Sequence, residues 1–168
     1  IAEIRDATKG PKATISRTHP GLVRRLLESE VPEIFDGTVE IKSVSREAGS
    51  RSKIAVYSAD ENVDPVGACI GQRGARVNKI VDILGGEKLD IVRYSENPAE
   101  FVAASLAPAD VISVTVENEE EHSCKVVVPN NQLSLAIGNK GQNARLAAKL
   151  TGWKIDINPE SGFFEIQE

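Results

Sequence analysis

The sequence predicts an α+β chain made of two tandem copies of one unit: helix, strand, strand, helix, glycine-bounded loop, helix, strand. Three observations predict it. Gly71-Gln72-Arg73-Gly74 and Gly138-Asn139-Lys140-Gly141 each lie between two apolar helical stretches. The copies are in register, because Gly71, Gly74 and Gly85 recur as Gly138, Gly141 and Gly152, each at an offset of 67. A coincidental turn does not repeat its loop, helix, closing glycine and strand together. Finally, alternating apolar and polar residues ahead of each loop read as a hairpin, and a three-stranded sheet with helices on one side is an α+β domain.

In chain order, Ile1–Ile4 and Ala13–Ser16 read as short strands about a turn at Lys9-Gly10-Pro11-Lys12. Two strands make no stable sheet alone, so they are an edge hairpin or the end of another domain. Thr18-His19-Pro20-Gly21 starts a helix, with His19 as a cap or turn residue. Its apolar stripe is Leu22, Val23, Leu26 and Leu27, with Arg24 and Arg25 on the solvated side. Thr38–Ser45 and Ser52–Ser58 form a hairpin around Arg46–Arg51. Asp64 caps the next helix and Pro65 occupies its first turn. After the first loop, Val77, Ile80, Val81 and Leu84 form a core stripe, and Lys88–Val92 is a strand.

Ser95-Glu96-Asn97-Pro98 then caps a helix over Ala99–Leu106, leaving almost no linker, and Pro108 stops it. Val111–Val116 and Lys125–Val128 form the second hairpin, with the acidic run Glu117–Glu121 at its tip. Asn130 or Asn131 is expected to cap Leu133–Ile137. The second loop, a helix over Gln142–Leu150 and a strand over Lys154–Ile157 follow. The short junction predicts two units packed rigidly together. In the last helix Leu146 and Leu150 stand where the first copy has Lys79 and Ile83. Part of that broader apolar face is expected to lie on the neighbouring unit.

The 168 residues suffice for one or two small domains, and with 4% aromatics their cores are aliphatic. No apolar run is long enough to span a membrane, and no leader pattern opens the chain. Starting at Ile1, it reads as a processed or excised chain. Cys69 and Cys124 lack metal or redox spacing and read as small buried residues in a reducing compartment. No metal or cofactor is expected. The net charge of −5 argues against a generic nucleic-acid binder. Yet Arg73, Arg76 and Lys79 outnumber Asp82 around the first loop, and Lys140, Arg145, Lys149 and Lys154 outnumber Asp156 around the second. Screening confines such fields to about 10 Å, so the loops are basic on an acidic molecule. The sequence shows no carboxylates paired around a metal, no nucleophile with a base and no phosphate-transfer loop, so no enzyme is expected.

Two glycines flanking two polar residues between helices is the GxxG loop of KH domains, which clamps the backbone of about four nucleotides. Val63-Asp64-Pro65-Val66-Gly67-Ala68-Cys69-Ile70-Gly71 resembles the first KH motif of the NusA family of bacterial transcription elongation and termination factors. Gln132–Gly138 with Gly141–Trp153 resembles the second, and Ser16–Gly21 resembles the junction where that family's S1 domain meets its first KH domain. The resemblance implies two tandem type II KH domains, over 19–95 and 96–160. It makes 1–18 the last strands of an S1 (OB-fold) domain and 161–168 a tail, whose Phe163-Phe164 has no functional reading. It implies binding to single-stranded nascent RNA in polymerase pausing, termination and antitermination. RNA polymerase, mainly through domains absent here, and other elongation and antitermination factors are the implied partners. The implied setting is a monomer in the bacterial cytoplasm, away from membranes.

Carried onto this sequence, Gly71, Gly74, Gly138 and Gly141 would admit a phosphate closely. Gln72 with Arg73, and Asn139 with Lys140, would lie along the sugar–phosphate backbone. Arg76, Asn143 and Arg145, at the start of the following helices, would add contacts. Ile70 and Ile137, with strands Leu89–Ile91 and Ile155–Ile157, would form an apolar floor for bases. Trp153 is expected in the core rather than against a base. Two other readings are a protein-interaction scaffold with little RNA binding, which the net acidity supports, and the accessory RNA-binding region of a phosphorolytic ribonuclease.

Overall fold

The computed structural model describes residues 1–161, so Phe163-Phe164 lie outside the described residues. Strands β1 (Glu3–Arg5) and β2 (Lys12–Thr14) form an antiparallel ribbon with every residue exposed. It has no core of its own, as an isolated pair of strands must. Helix α1 (Pro20–Glu30) follows, and His19 caps it, its Nδ1 accepting from the Gly21 amide at 2.9 Å. A single further turn, α2 (Pro32–Phe35), is too short for periodicity to register.

Strands β3 (Glu40–Glu47) and β4 (Arg51–Tyr57) pair antiparallel. Their hairpin is tighter than expected: Arg46 and Glu47 stay in the ladder opposite Ser52 and Arg51, leaving Ala48-Gly49-Ser50 as the turn. The reason is Glu87, which draws Arg46 into the protein. Helix α3 (Pro65–Ile70) is capped by Asp64, whose Oδ1 accepts from Val66 at 3.1 Å. Helix α4 (Ala75–Ile83) and strand β5 (Lys88–Arg93) complete the unit. The sheet order is β3-β4-β5, with β5 parallel to β4. Val23, Leu27, Ile54, Val56, Cys69 and Ile80 fill the space between sheet and helices.

The second unit repeats this. Helix α5 (Pro98–Ser105) is capped by Asn97. Strands β6 (Ser113–Asn118) and β7 (Ser123–Val128) pair antiparallel, and helices α6 (Leu133–Ile137) and α7 (Gln142–Thr151) lead to β8 (Lys154–Pro159). The order β6-β7-β8, with β8 parallel to β7, matches the first sheet. The expected asparagine cap on α6 is absent: Asn130–Gln132 is a 3-10 turn running into the helix. Trp153 is 8% exposed, packed in the core and stacked on His122 at 4.9 Å.

The two units pack through α7, which lies on the outer face of the first sheet. Leu150 joins Ala55 and Val92 of the first unit and Phe101 of the second in one buried cluster. Leu146 is fully buried. Ser45 and Ser43 donate their hydroxyls to the carbonyls of Leu146 and Leu150 at 2.8 and 3.0 Å. Lys53, also fully buried, donates to Asp90 at 2.8 Å and to the Ala107 carbonyl of the second unit at 2.6 Å. Burial pushes the Lys53 ammonium down, against the charge of Asp90. The equivalent pair, Lys125 and Asp156, sits in the same parallel register on the second sheet but is exposed, since among the described residues no helix covers that face. The expectation for Leu146 and Leu150 therefore holds. Leu150→Ala should cost about 3 kcal/mol in urea denaturation, as for a leucine truncated in a closed core.

Cys69 and Cys124 are free and buried. Burial, aided by Glu33, pushes the Cys69 thiol up to about 12. Burial also raises Cys124. Both should stay unreactive to a disulfide reagent at pH 8 over minutes, while the urea-unfolded chain reacts at once.

Candidate nucleic-acid interface

The two glycine loops are copies of each other in backbone as well as sequence. Gly71, Arg73 and Gly74 have φ/ψ of 76/175°, 54/29° and 74/14°. Gly138, Lys140 and Gly141 have 80/171°, 53/29° and 76/12°. Each loop closes with two turn bonds: Gly74 N–H to the Gly71 carbonyl at 3.2 Å and Ala75 N–H to the Gln72 carbonyl in the first, Gly141 N–H to the Gly138 carbonyl at 3.1 Å and Gln142 N–H to the Asn139 carbonyl in the second. Arg73 and Lys140 thus hold a left-handed conformation that side-chain-bearing residues seldom adopt. Both are exposed, and among the described residues neither side chain makes an ion pair or hydrogen bond. Gln72 and Asn139 are exposed beside them. No side chain caps α4 or α7; the Ala75 and Gln142 N–H groups are taken by the Gln72 and Asn139 carbonyls, and the next N–H groups of each helix are those that could meet an anion.

The first glycine of each loop has a reason the sequence did not disclose. A Cβ on Gly138 would stand 2.6 Å from the Asn143 amide nitrogen, and one on Gly71 2.8 Å from Arg76 Cγ. These glycines let the loop fold onto the start of its own following helix. The second glycines differ: a Cβ on Gly141 meets only Arg145 Nη1, at 4.0 Å, whereas one on Gly74 would stand 3.1 Å from the Asn78 side chain.

That close packing corrects the assignment of Asn143 and gives Arg76 and Arg145 partners of their own. Asn143 is 1% exposed and donates to the carbonyls of Leu106 and Ala136 at 3.0 and 2.9 Å, so it cannot reach a ligand. Arg76, its counterpart, donates to Glu33 at 2.8 Å and to the Ala68 carbonyl at 2.7 Å. Both residues staple the helix before the loop to the helix after it. Arg145 is half exposed but bound to Glu47 of the first unit at 2.6 Å. Glu47 carried no signal in the sequence, since only the fold brings it beside α7. Part of the basic charge counted around the loops is thus neutralised by Glu33, Glu47 and Glu30, the last paired with Lys79. Within the loops themselves, Arg73 and Lys140 are the cations without an ion pair among the described residues.

Beside each loop runs a strand that, among the described residues, pairs on one side only. The Lys88 and Tyr94 amides bond to the β4 side, at Ser50 and Val56. In a parallel pair the alternate residues face the other way, so Leu89, Ile91 and Arg93 turn their backbone N–H and C=O groups from the sheet toward the α3 side. The same parity, set by Lys154 and Glu160 bonding to His122 and Val128, turns out Ile155 and Ile157. Ile70 is half-buried and Ile137 is 37% exposed at the lip of the floor. An open cleft of about 580 Å³ lies against the first loop, lined by Gly67, Gly71, Gln72, Ala75 and Arg76. Among the described residues no group of acidic, histidine and cysteine side chains could hold a metal, and no helix is long and apolar enough to cross a membrane.

A mixed sheet of this order, with a GxxG loop joining two helices over its edge strand, is the type II KH domain, here in tandem. Family models for the NusA-like first KH domain and the NusA-like second KH domain match residues 17–94 and 98–165. The chain belongs to the NusA family through these two domains. It is 64% identical over 161 residues to the transcription termination/antitermination protein NusA of Halalkalibacterium halodurans, covering 96% of this chain and 42% of that protein. To the protein of the same name from Bacillus subtilis it is 61% identical, covering 99% of this chain and 44% of the relative. The chain thus spans less than half the length of these relatives. Among solved structures, the crystal structure of APE1850 superposes with a TM-score of 0.58 at 23% identity, over 83% of this chain and 97% of that one, a likeness of fold.

Proposed function

We propose that this chain binds single-stranded RNA with two backbone clamps, as part of a bacterial factor acting in transcriptional pausing, termination and antitermination. The observation that carries the reading is the pair of loops with matching dihedrals, each presenting one exposed, unpaired cation over a helix start and beside a free strand edge. Phosphates lie against Arg73 and Lys140 and the N–H groups of α4 and α7. The apolar floor takes the bases, whose edges meet the outward backbone groups of β5 and β8. Phosphate contacts position the strand and base contacts specify it. Duplex RNA hides those base edges, so single strands are the substrate.

The transcriptional role rests on the names of relatives that extend well beyond this chain. In that setting the RNA is the nascent transcript in the bacterial cytoplasm. RNA polymerase and other elongation and antitermination factors are met mainly by other parts of the protein. The ribbon at 1–18 is then the end of an S1 domain, and the molecule acts as a monomer without catalysis.

The test is fluorescence anisotropy of a labelled single-stranded RNA of about ten nucleotides, from four per module plus a crossing, over a salt series. The chain should bind with a log–log salt slope of about −1.4, two phosphates at 0.7 each. The variant Gln72→Asp, Arg73→Asp, Asn139→Asp, Lys140→Asp should stay folded by circular dichroism and bind at least about tenfold more weakly. Equal binding by parent and variant would leave the scaffold reading in its place.

A further inference from the structure

The second loop is held from outside its own domain. Glu47, at the end of β3 in the first domain, accepts from Arg145 Nε at 3.1 Å and Nη2 at 2.6 Å. The same guanidinium donates through Nη1 to the Lys140 carbonyl at 3.2 Å. Arg145 therefore stands between a carboxylate of one domain and the backbone of the other domain's loop, at its left-handed residue. One turn away, Gln142 donates to Ser50 at 2.7 Å, so the hairpin end of the first domain grips the start of α7 twice. The first loop has no such support: the position equivalent to Arg145 is the neutral Asn78, and among the described residues no side chain donates to the Arg73 carbonyl as Arg145 does to that of Lys140.

The geometry points to Glu47 as a positioning residue for the second RNA clamp, acting across the domain boundary through Arg145 on the backbone of Lys140. The inference rests on the clamp reading above and deepens it. A non-glycine residue in the left-handed region persists only where its surroundings over-determine it. An arginine anchored at one end offers its remaining N–H in a fixed direction, whereas a free one spreads over many rotamers. Without Glu47 the guanidinium leaves the Lys140 carbonyl, the loop spends less time in the conformation that presents its side chain to phosphate, and apparent affinity falls by that fraction. The first clamp is self-contained and the second forms fully only on the docked first domain.

A direct role for Arg145 on RNA predicts the opposite sign. Glu47 would then hold the cation back and add negative charge near the RNA, so removing it would tighten binding. Glu47→Gln separates the two, measured with the ten-nucleotide RNA in three backgrounds. In the otherwise unchanged chain, and with the first loop disabled by Gln72→Asp and Arg73→Asp, binding should weaken about fivefold, the scale of one hydrogen bond. With the second loop disabled by Asn139→Asp and Lys140→Asp, Glu47→Gln should change nothing. Equal or tighter binding in the unchanged background overturns the inference, as does the same loss in the third background, which marks general loosening. Amide hydrogen exchange without RNA reads the device by itself. In Glu47→Gln the Gly141 amide should exchange several-fold faster and the Gly74 amide as before; no change at Gly141 overturns the inference. If exchange shifts as described but the parent binds no RNA, the positioning stands and the clamp reading fails.

Discussion

Replacing Glu87 with alanine is expected to unfold the first KH domain or bring it to the edge of unfolding. Glu87 is 1% exposed. It accepts from Arg46 Nε and Nη2 at 3.1 and 3.0 Å, from the Gly49 amide at 2.7 Å and from the Ser52 hydroxyl at 2.9 Å. The Arg46 side chain is itself 4% exposed, and among the described residues its one other side-chain bond is Nη1 to the His19 carbonyl at 3.0 Å. Removing the carboxylate leaves a guanidinium buried without a counter-charge, a loss of about 3–5 kcal/mol. Domains hold only about 5–15 kcal/mol in total. Urea denaturation followed by circular dichroism should show the midpoint collapse for Glu87→Ala, with a smaller drop for Glu87→Gln, which keeps acceptors near Gly49 and Ser52.

The same group shapes the acid response. Burial alone would raise the Glu87 carboxyl, but Arg46, the Gly49 amide and Ser52 outweigh it and hold it below the ordinary carboxylate range. Its stabilising contribution is therefore complete above the unfolded value of about 4.3. It is lost as pH falls through the lower folded value. The parent should lose stability on that descent, and Glu87→Gln should lack that part of the loss. An equal pH dependence in both would show that Glu87 is not held ionised.

Gly138→Ala is expected to be nearly as damaging and to abolish the second clamp. Its φ of 80° and ψ of 171° lie in a region open to glycine alone, worth about 1–3 kcal/mol. The added Cβ would also press on the Asn143 amide at 2.6 Å, backbone that cannot swing aside. Overpacking of this kind adds about 1–3 kcal/mol. Gly71→Ala should cost less, because the closest obstacle is the Arg76 side chain. Gly141→Ala should cost about 1 kcal/mol, for its positive φ only. Thermal melts of the three variants should fall in that order. A Gly141 variant as damaged as the Gly138 variant would show that backbone conformation, not packing under the loop, dominates.

The repeat made most of the fold legible. Loop, helix, closing glycine and strand recur at one spacing, and the leucines that replace Lys79 and Ile83 announced the face on which the domains meet. Contacts between residues far apart in sequence were not legible. Asn143 and Arg76 look like exposed polar residues at helix starts, yet the first glycine of each loop draws the helix so close that Asn143 becomes internal and Arg76, still one-third exposed, is tied to Glu33 and the Ala68 carbonyl. Arg145 counts as a free cation until the fold places Glu47 beside it, and Arg46 looks like a turn residue until Glu87 arrives from 41 positions away. The loop cations Arg73 and Lys140 stayed legible because their exposure follows from the local backbone alone.

The most direct test of the two-clamp account is a backbone amide NMR titration of the chain with the ten-nucleotide single-stranded RNA. The account predicts the largest shift changes at residues 71–77 and 138–144, together with Ile91 and Ile157 on the free strand edges. The outward sheet residues Thr115 and Lys125 should stay still. Changes confined to one loop, or centred on the outer face of the second sheet, would contradict it.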